Sequence, residues 1–282
     1  MQTRYNQQLY TDTSFAAAEL VTRQFSSSFY RATTLIDQPY RNHIYNIYGL
    51  VRIADELVDS WRPDKMTKRL ATLEAETLQS IKSGYSENLI VHAFSTTARK
   101  YNLEIEPIEA FFASMRMDIS KHSYSKAEYD NYIYGSAQAV GLMCLSVFCD
   151  GKASQYQKLI SAAEALGAAF QKVNFLRDLG SDQQELSRQY FPNIDFTDLS
   201  QGGYMAIINE IEVDFEQARL GVDQLPKSVR YGVLLAMRAY MRLLAKLAQL
   251  TPQQISKSRV SLSGPEKAWI LLGCHLAKLF GR

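Results

Sequence analysis

Seven prolines, at positions 39, 63, 107, 192, 226, 252 and 265, are almost the only hard breaks in this chain of 282 residues. Between them run long segments whose apolar residues recur every three or four positions. They include FAAAELVTRQFSSSFY, IYNIYGLVRIADELVD, YQKLISAAEALGAAFQKVNFLRDL and VRYGVLLAMRAYMRLLAKLAQL. That spacing follows the 3.6-residue period of an α-helix, not the two-residue alternation of a strand. No Asn-Gly or Asp-Gly turn separates alternating strands, so no hairpin signal is present. The expectation is an all-α fold of about ten helices in a single domain over residues 1–282. Loops are expected near 37–40, 61–65, 83–87, 102–106, 121–127, 150–153, 187–203, 222–227 and 251–264. Asp12-Thr13-Ser14, ahead of an alanine-rich run, reads as a helix start, and Pro226 suits a first helical turn. The segment 187–203 is the least regular, and its aromatic, proline and aspartate content suits a loop over a site. There is no solenoid repeat and no low-complexity linker.

Composition narrows the class. Apolar residues make up 46% and charged residues 21%, ordinary for a globular protein. A net charge of +2 without a long basic run argues against nucleic acid as a partner. Cys144, Cys149 and Cys274 form no CxxC and read as buried, reduced thiols in a cytoplasmic protein. The N-terminus is polar, without a signal core, and the run Val140 to Cys149 is too short to cross a bilayer. PEKAWILLGCHLAKLFGR near the C-terminus is apolar with basic punctuation. Packing onto the core is its expected role, and lying on a membrane surface is the other reading.

Two aspartate pairs carry the chemistry: Asp55 and Asp59 in YGLVRIADELVDSW, and Asp178 and Asp182 in VNFLRDLGSD. Four-residue spacing puts each pair on one helix face. With 29 acidic residues in 282, chance supplies about three such pairs. Context sets these two apart. Tyr48, Arg52, Asp55 and Asp59 form a stripe among Ile47, Leu50, Val51, Ile53, Leu57 and Val58. Gln171, Asn174, Asp178 and Asp182 form another, beside Arg177, among Ala168, Ala169, Phe170, Val173, Phe175, Leu176 and Leu179. Carboxylates on a helix buried over much of its girth must be paired or bind metal. The plain alternative for each pair is a salt bridge to Arg52 or Arg177. A carboxylate-bridged di-iron site fails, because none of His43, His92, His122 and His275 follows a Glu by three residues. The histidines read as lone structural or surface residues. Zinc clusters, Walker loops, Gly-x-Gly-x-x-Gly runs and Gly-x-Ser-x-Gly elbows are also missing from the sequence.

Five blocks in order resemble the squalene/phytoene synthase family: SSSFYRA (26–32), YGLVRIADELVD (48–59), YIYGSAQAVG (132–141), QKVNFLRDLGSD (171–182) and RQYFP (188–192). The resemblance implies an isoprenoid-synthase helical bundle around a central cavity, and head-to-head joining of two prenyl diphosphates. It assigns Asp55, Asp59, Asp178 and Asp182 to Mg²⁺, which prefers oxygen ligands, with Mn²⁺ as a substitute. It assigns Ser26, Ser28, Arg52, Gln171, Asn174, Arg177, Arg188, Tyr190 and Arg259 to the diphosphates and their surroundings; guanidinium forks suit phosphate oxygens. Tyr48, Tyr132 and Tyr240 match tyrosines at the reacting centre, with Arg52 and Arg177 beside them. Core packing is the alternative for each tyrosine, and the chain has 17. The small residues of YIYGSAQAVGLM suit either a groove for an isoprenoid tail or close helix packing.

Two departures affect register. The stretch from Asp182 to Tyr190 is one residue longer than the common pattern, and Ser181 stands where an acidic residue is usual. Arg259 lies in a variable region. The resemblance favours a bacterial phytoene synthase acting on geranylgeranyl diphosphate. One alternative is a C30 enzyme making dehydrosqualene, squalene or hydroxysqualene from farnesyl diphosphate. Another is a non-catalytic helical scaffold of the same family. No dinucleotide fingerprint is present, so NADPH is not expected. Peripheral membrane contact would suit release of an apolar product; the sequence is silent on oligomeric state.

Overall fold

The fold is given by a computed structural model. It describes residues 2–61, 64–121, 123–181, 191–192, 194, 199–255 and 259–280, with residues 2, 180 and 181 as backbone only. All regular elements among the described residues are helical. In chain order they are α1 (Gln2–Phe25), α2 (Ser27–Thr33), α3 (Tyr40–Glu56), α4 (Met66–Ser83), α5 (Leu89–Tyr101), α6 (Ile105–Ser120) and α7 (Lys126–Ile133). Then come α8 (Ala139–Phe148), α9 (Ala153–Ser181), α10 (Gln201–Val222), α11 (Lys227–Leu247), α12 (Pro252–Ile255) and α13 (Gly264–Phe280). Two π-helical turns interrupt this order. Leu57–Trp61 extends α3, and Tyr134–Gln138 joins α7 to α8.

The helix start expected at Asp12-Thr13-Ser14 does not occur, because α1 runs through it. The hydroxyls of Thr11, Thr13 and Ser14 donate to the carbonyls of Gln7, Leu9 and Tyr10, four residues back. Hydroxyls used this way fit a helix interior and cap nothing. Tertiary contacts secure this polar first half. Tyr10 donates to the Ser86 carbonyl at 3.0 Å, and Thr11 meets His92 Nε2 at 3.1 Å. The loop expected up to residue 203 ends earlier. Ser200 caps α10 by accepting from the Gly203 amide at 3.1 Å. Pro226 sits at the N-cap of α11, one position ahead of its first turn.

α9, the longest helix, packs against α8, α10, α11 and the second π turn, while α3 packs against α1, α5 and α8. One buried cluster gathers Leu50, Phe94, Ile108, Phe112 and Met143 around α3, α5, α6 and α8. A second gathers Val173, Leu176, Tyr204, Ile208 and Ile211 around α9 and α10. Glycine is required where α9 crosses the second π turn. A Cβ at Gly167 would lie 2.8 Å from the Ala137 carbonyl oxygen. Gly135, in the same turn, sits against the Ala110 backbone with no room for a side chain. The small residues of YIYGSAQAVGLM therefore do both expected things. Gly135 serves close packing, while Ser136, Ala137, Val140 and Gly141 line a cavity.

Candidate functional site

α3 places Tyr48, Arg52 and Asp55 on one face, as their spacing requires. The Tyr48 ring stacks on Phe29 of α2 with centroids 4.9 Å apart. Burial pushes its phenol above the ordinary value, against the pull of Arg52 and the Ser26 hydroxyl. Tyr48 is therefore a neutral phenol at physiological pH. Arg52 donates to Asp55 at 2.6 Å and also to Glu56, and its guanidinium stands 4.7 Å over the Phe25 ring. Past Glu56 the helix widens into the π turn that carries Asp59. A π turn holds more residues per revolution, so Asp59 departs from the simple α register with Asp55.

α9 faces this stripe from the other side. Gln171 shares a chamber with Tyr48, Val51, Arg52, Asp55, Phe111, Met115, Tyr132 and Ser136. Its volume is about 170 Å³, measured as space open to the centre of a water-sized sphere. Tyr132 is buried, and its hydroxyl donates to Asp118 Oδ1 at 2.9 Å and Oδ2 at 3.1 Å. With its proton committed to Asp118, the phenol oxygen keeps lone pairs for other contacts.

Val51 and Ser136 also line a larger cavity, about 270 Å³ on the same measure. It runs between α2, α3, α8, α9, α10 and α11. Ile44, Val140, Leu145, Phe148, Leu166, Phe170 and Val233 make its walls apolar, and Cys144 opens onto it. Asn174 and Tyr240 are among its few polar residues. They bond each other, Tyr240 donating to Asn174 Oδ1 at 3.2 Å, while the Tyr240 ring stacks on Phe170 at 4.2 Å.

One turn further along α9, Asp178 is held from two sides. Arg177 donates to it through Nε at 2.9 Å and again through Nη2, and Arg259 donates through Nε at 2.7 Å. Burial lowers the Arg177 guanidinium's proton affinity, but Asp178 and the Tyr240 phenol outweigh that and the net direction is upward. Arg177 therefore stays a fixed positive charge. Arg259 lies 81 residues beyond Asp178 in sequence, so only the fold joins them.

The expected site residues thus separate into groups. Tyr48, Arg52, Asp55, Tyr132 and Gln171 share the polar chamber. Asn174 and Tyr240 stand in the apolar cavity beside it, and Arg177, Asp178 and Arg259 form an ion cluster. Ser26 caps α2, accepting from the Phe29 amide at 3.3 Å, and Ser28 is exposed on the first turn of α2. Asp182, Arg188, Tyr190 and most of the loop 187–203 lie outside the described residues. Sequence reasoning missed Asp118, Glu56, Phe29 and Phe170. Glu56 was legible in principle, four residues after Arg52. Asp118, an acid near the end of α6, had no local signal at all.

The salt-bridge alternative weighed for the aspartates leaves a mark. Asp55 and Asp178 are each paired with the neighbouring arginine. Among the described residues no three His, Cys, Asp or Glu side chains gather as a cluster. The donors on hand, aspartate carboxylates with the amides of Gln171 and Asn174, are hard oxygen groups that suit Mg²⁺ or Mn²⁺. His43 is a core residue, its Nδ1 2.9 Å from the Thr97 hydroxyl, and burial lowers its pKa to about 4. His92 is buried against Thr11, and His275 is exposed. His122 lies outside the described residues. The cysteines are free.

Comparison with known proteins gives a consistent picture. A family model described as squalene/phytoene synthase matches residues 22–266. Phytoene synthase 1, chloroplastic, of Zea mays is 28% identical over 249 residues, which cover 80% of this chain and 60% of that protein. This chain thus spans about three fifths of the maize relative's length. Phytoene synthase 2, chloroplastic, of Solanum lycopersicum is 28% identical over 269 residues, covering 88% and 85%. A crystal structure of a dehydrosqualene synthase in complex with ligand superposes with a TM-score of 0.81 at 21% identity, covering 95% of this chain and 97% of the other. Squalene synthase HpnC from Alicyclobacillus acidocaldarius superposes with a TM-score of 0.75 at 20% identity, covering 86% and 95%.

Proposed function

The chain belongs to the squalene/phytoene synthase family, and on that footing we propose that it joins two geranylgeranyl diphosphates head to head to make phytoene. The observation that carries the reading is the adjoining pair of spaces. A polar chamber lined by Arg52, Asp55, Tyr48, Tyr132 and Gln171 adjoins an apolar cavity, with Val51 and Ser136 lining both. A prenyl diphosphate has the same two halves. Its charged end fits the first space and its hydrocarbon tail the second.

Arg52 and Arg177 are forked cations that can turn from their aspartates to phosphate oxygens. Asp55, Asp59, Asp178 and Asp182 would then be the carboxylates that hold Mg²⁺. Held there, Mg²⁺ would supply positive charge to offset that of a departing diphosphate. The protein's own part is to bind, orient and exclude water. The apolar walls keep the tails in register and shield a developing carbocation. Tyr48 and Tyr240 present ring faces of the kind that stabilise positive charge. Tyr132, its hydroxyl held by Asp118, lines the chamber.

In the first half-reaction the C1–O bond of one substrate breaks and the double bond of the other supplies the electron pair, giving a cyclopropyl diphosphate after proton loss. The second diphosphate then leaves, the ring rearranges, and loss of a further proton gives the C40 hydrocarbon. Purified protein should be offered farnesyl and geranylgeranyl diphosphates together with Mg²⁺, and the products read by mass spectrometry. A C40 hydrocarbon supports the reading; a C30 product in its place overturns the chain length, and no condensation product overturns the reaction.

A further inference from the structure

We infer that Lys172 is a positioning residue: tied to Glu210 and Asp214, it fixes how α9 is turned about its own axis, and so where Gln171, Asn174 and Asp178 point. Lys172 is 8% exposed, the only buried lysine or arginine among the described residues. Its Nζ donates to Asp214 Oδ2 at 2.8 Å and to Glu210 Oε1, both on α10. Lys172 lines neither cavity, so it acts on the site only through α9.

The apolar pattern of α9 does not fix its rotation. Ala169, Phe170, Val173, Phe175 and Leu176 all belong to or pack on the second core cluster. At 100° per residue they spread over an arc of about 220°, against about 100° for an ordinary core-facing stripe. A face this broad can be buried at several rotations, because the hydrophobic effect has no direction. A charge set within it cannot. Lys172 lies inside that arc, and turning α9 either way would carry Nζ off its two carboxylates into apolar neighbours. An unpaired buried charge is costly, so one rotation alone satisfies it. Glu210 and Asp214, four residues apart on one face of α10, bracket Nζ and so also set the slide of one helix along the other. A second tie between these helices, Gln217 to Ser161 at 2.6 Å, is exposed and about three turns away. Gln171, Asn174 and Asp178 lie between about 100° and 160° round α9 from Lys172. With Lys172 held against α10, Gln171 meets the polar chamber and Asn174 meets Tyr240. The effect on turnover rests on the proposed condensation; the setting of the helix does not.

The test removes all three charges at once, Lys172→Met with Glu210→Gln and Asp214→Leu, so that none is left buried alone. Exchanging a buried ion group for apolar side chains is close to neutral for stability, so Tm should stay within about 4 °C of wild type. In the crystal structure of this triple variant, Tyr240 and Asn174 should no longer be in hydrogen-bond contact. Its kcat on prenyl diphosphates should fall at least about ten-fold, since a misplacement of about 1 Å can cost about a hundred-fold. Ile211→Val loosens the same core cluster and leaves the triad intact, so it should lower Tm with kcat unchanged. Asp214→Asn, the milder change should the triple variant not fold, should lower kcat by a smaller factor. A kcat equal to wild type in the triple variant or in Asp214→Asn would overturn the role of Lys172. So would an intact Tyr240–Asn174 bond in the triple variant, or an equal loss of kcat in Ile211→Val. A wild-type protein that condenses no prenyl diphosphate overturns the proposed reaction instead, and the Tyr240–Asn174 contact in the variant crystal structures then decides the role of Lys172.

Discussion

Asp178→Asn separates a structural ion pair from a metal ligand. In the structure Asp178 accepts two bonds from Arg177 and one from Arg259. The side chains of Arg177 and Asp178 are 22% and 18% exposed, so this pair is largely withdrawn from water. The Arg259 side chain is 66% exposed, which leaves its contribution near zero after screening. An amide in place of the carboxylate keeps the shape and one acceptor but leaves the Arg177 charge without its counter-ion. Breaking a fully buried pair costs about 3–5 kcal/mol; partial exposure and the retained acceptor bring this to about 2 kcal/mol. For a chain of this size that is a fall in Tm of about 4 °C.

If Asp178 serves only as an ion-pair partner, the loss ends there. If it also holds Mg²⁺, turnover should fall by about three orders of magnitude, because the cation's stabilisation of the leaving diphosphate is worth several kcal/mol. Thermal denaturation with and without Mg²⁺ and inorganic diphosphate adds a readout independent of turnover. Ligand at about 100 times its Kd stabilises wild type by about 2.7 kcal/mol. Asp178→Asn should lose most of that gain. Unchanged turnover and an unchanged ligand-induced shift, with only the Tm lowered, would refute the metal role.

Further expectations rest on other contacts. Asp118→Asn should lower kcat with little change in KM, and Tyr132→Phe in that background should add less than it does alone, because the two share one hydrogen bond. Filling the apolar cavity with Cys144→Phe should slow the longer of two prenyl substrates by about ten-fold or more relative to the shorter, read as a ratio of kcat/KM. Glu266 accepts from Ser263, Lys246 and Arg242, and those contacts hold its carboxyl down at about 2. Its contribution is therefore present above the ordinary carboxylate range and is lost as pH falls toward about 2. Acid unfolding followed by Trp269 emission in Trp61→Phe should show an α13 transition in that window, weakened in Glu266→Gln. Gly167→Val should destabilise by about 2 kcal/mol or more, since its side chain would meet the Ala137 carbonyl; denaturant titration measures it.

Much of this protein could be read from periodicity. The helical class, most breaks between helices and the partial burial of the carboxylate stripes follow from spacing within single segments, because helix period and proline act locally. Side chains three or four residues apart meet whatever surrounds them, so Arg52 with Asp55 and Glu56 was within reach of the sequence. The small-residue block could not be resolved that way. Whether Gly135 or Ser136 faces a neighbour or a void depends on how α6 and α9 approach it.

The start of α1 shows the same limit. A polar run with three hydroxyl residues reads as a cap, and it is helical because Tyr10 and Thr11 find partners on residues 86 and 92. Asp118 under Tyr132, Arg259 on Asp178, Tyr240 on Asn174 and the adjacency of two cavities across Val51 and Ser136 all depend on contacts between different helices or segments. Local spacing settles which residues share a face of a regular α-helix, and Asp59, carried on a π turn, escapes it. Which faces meet, and that α13 keeps an apolar face in water, is settled by packing, which couples residues that no local spacing relates.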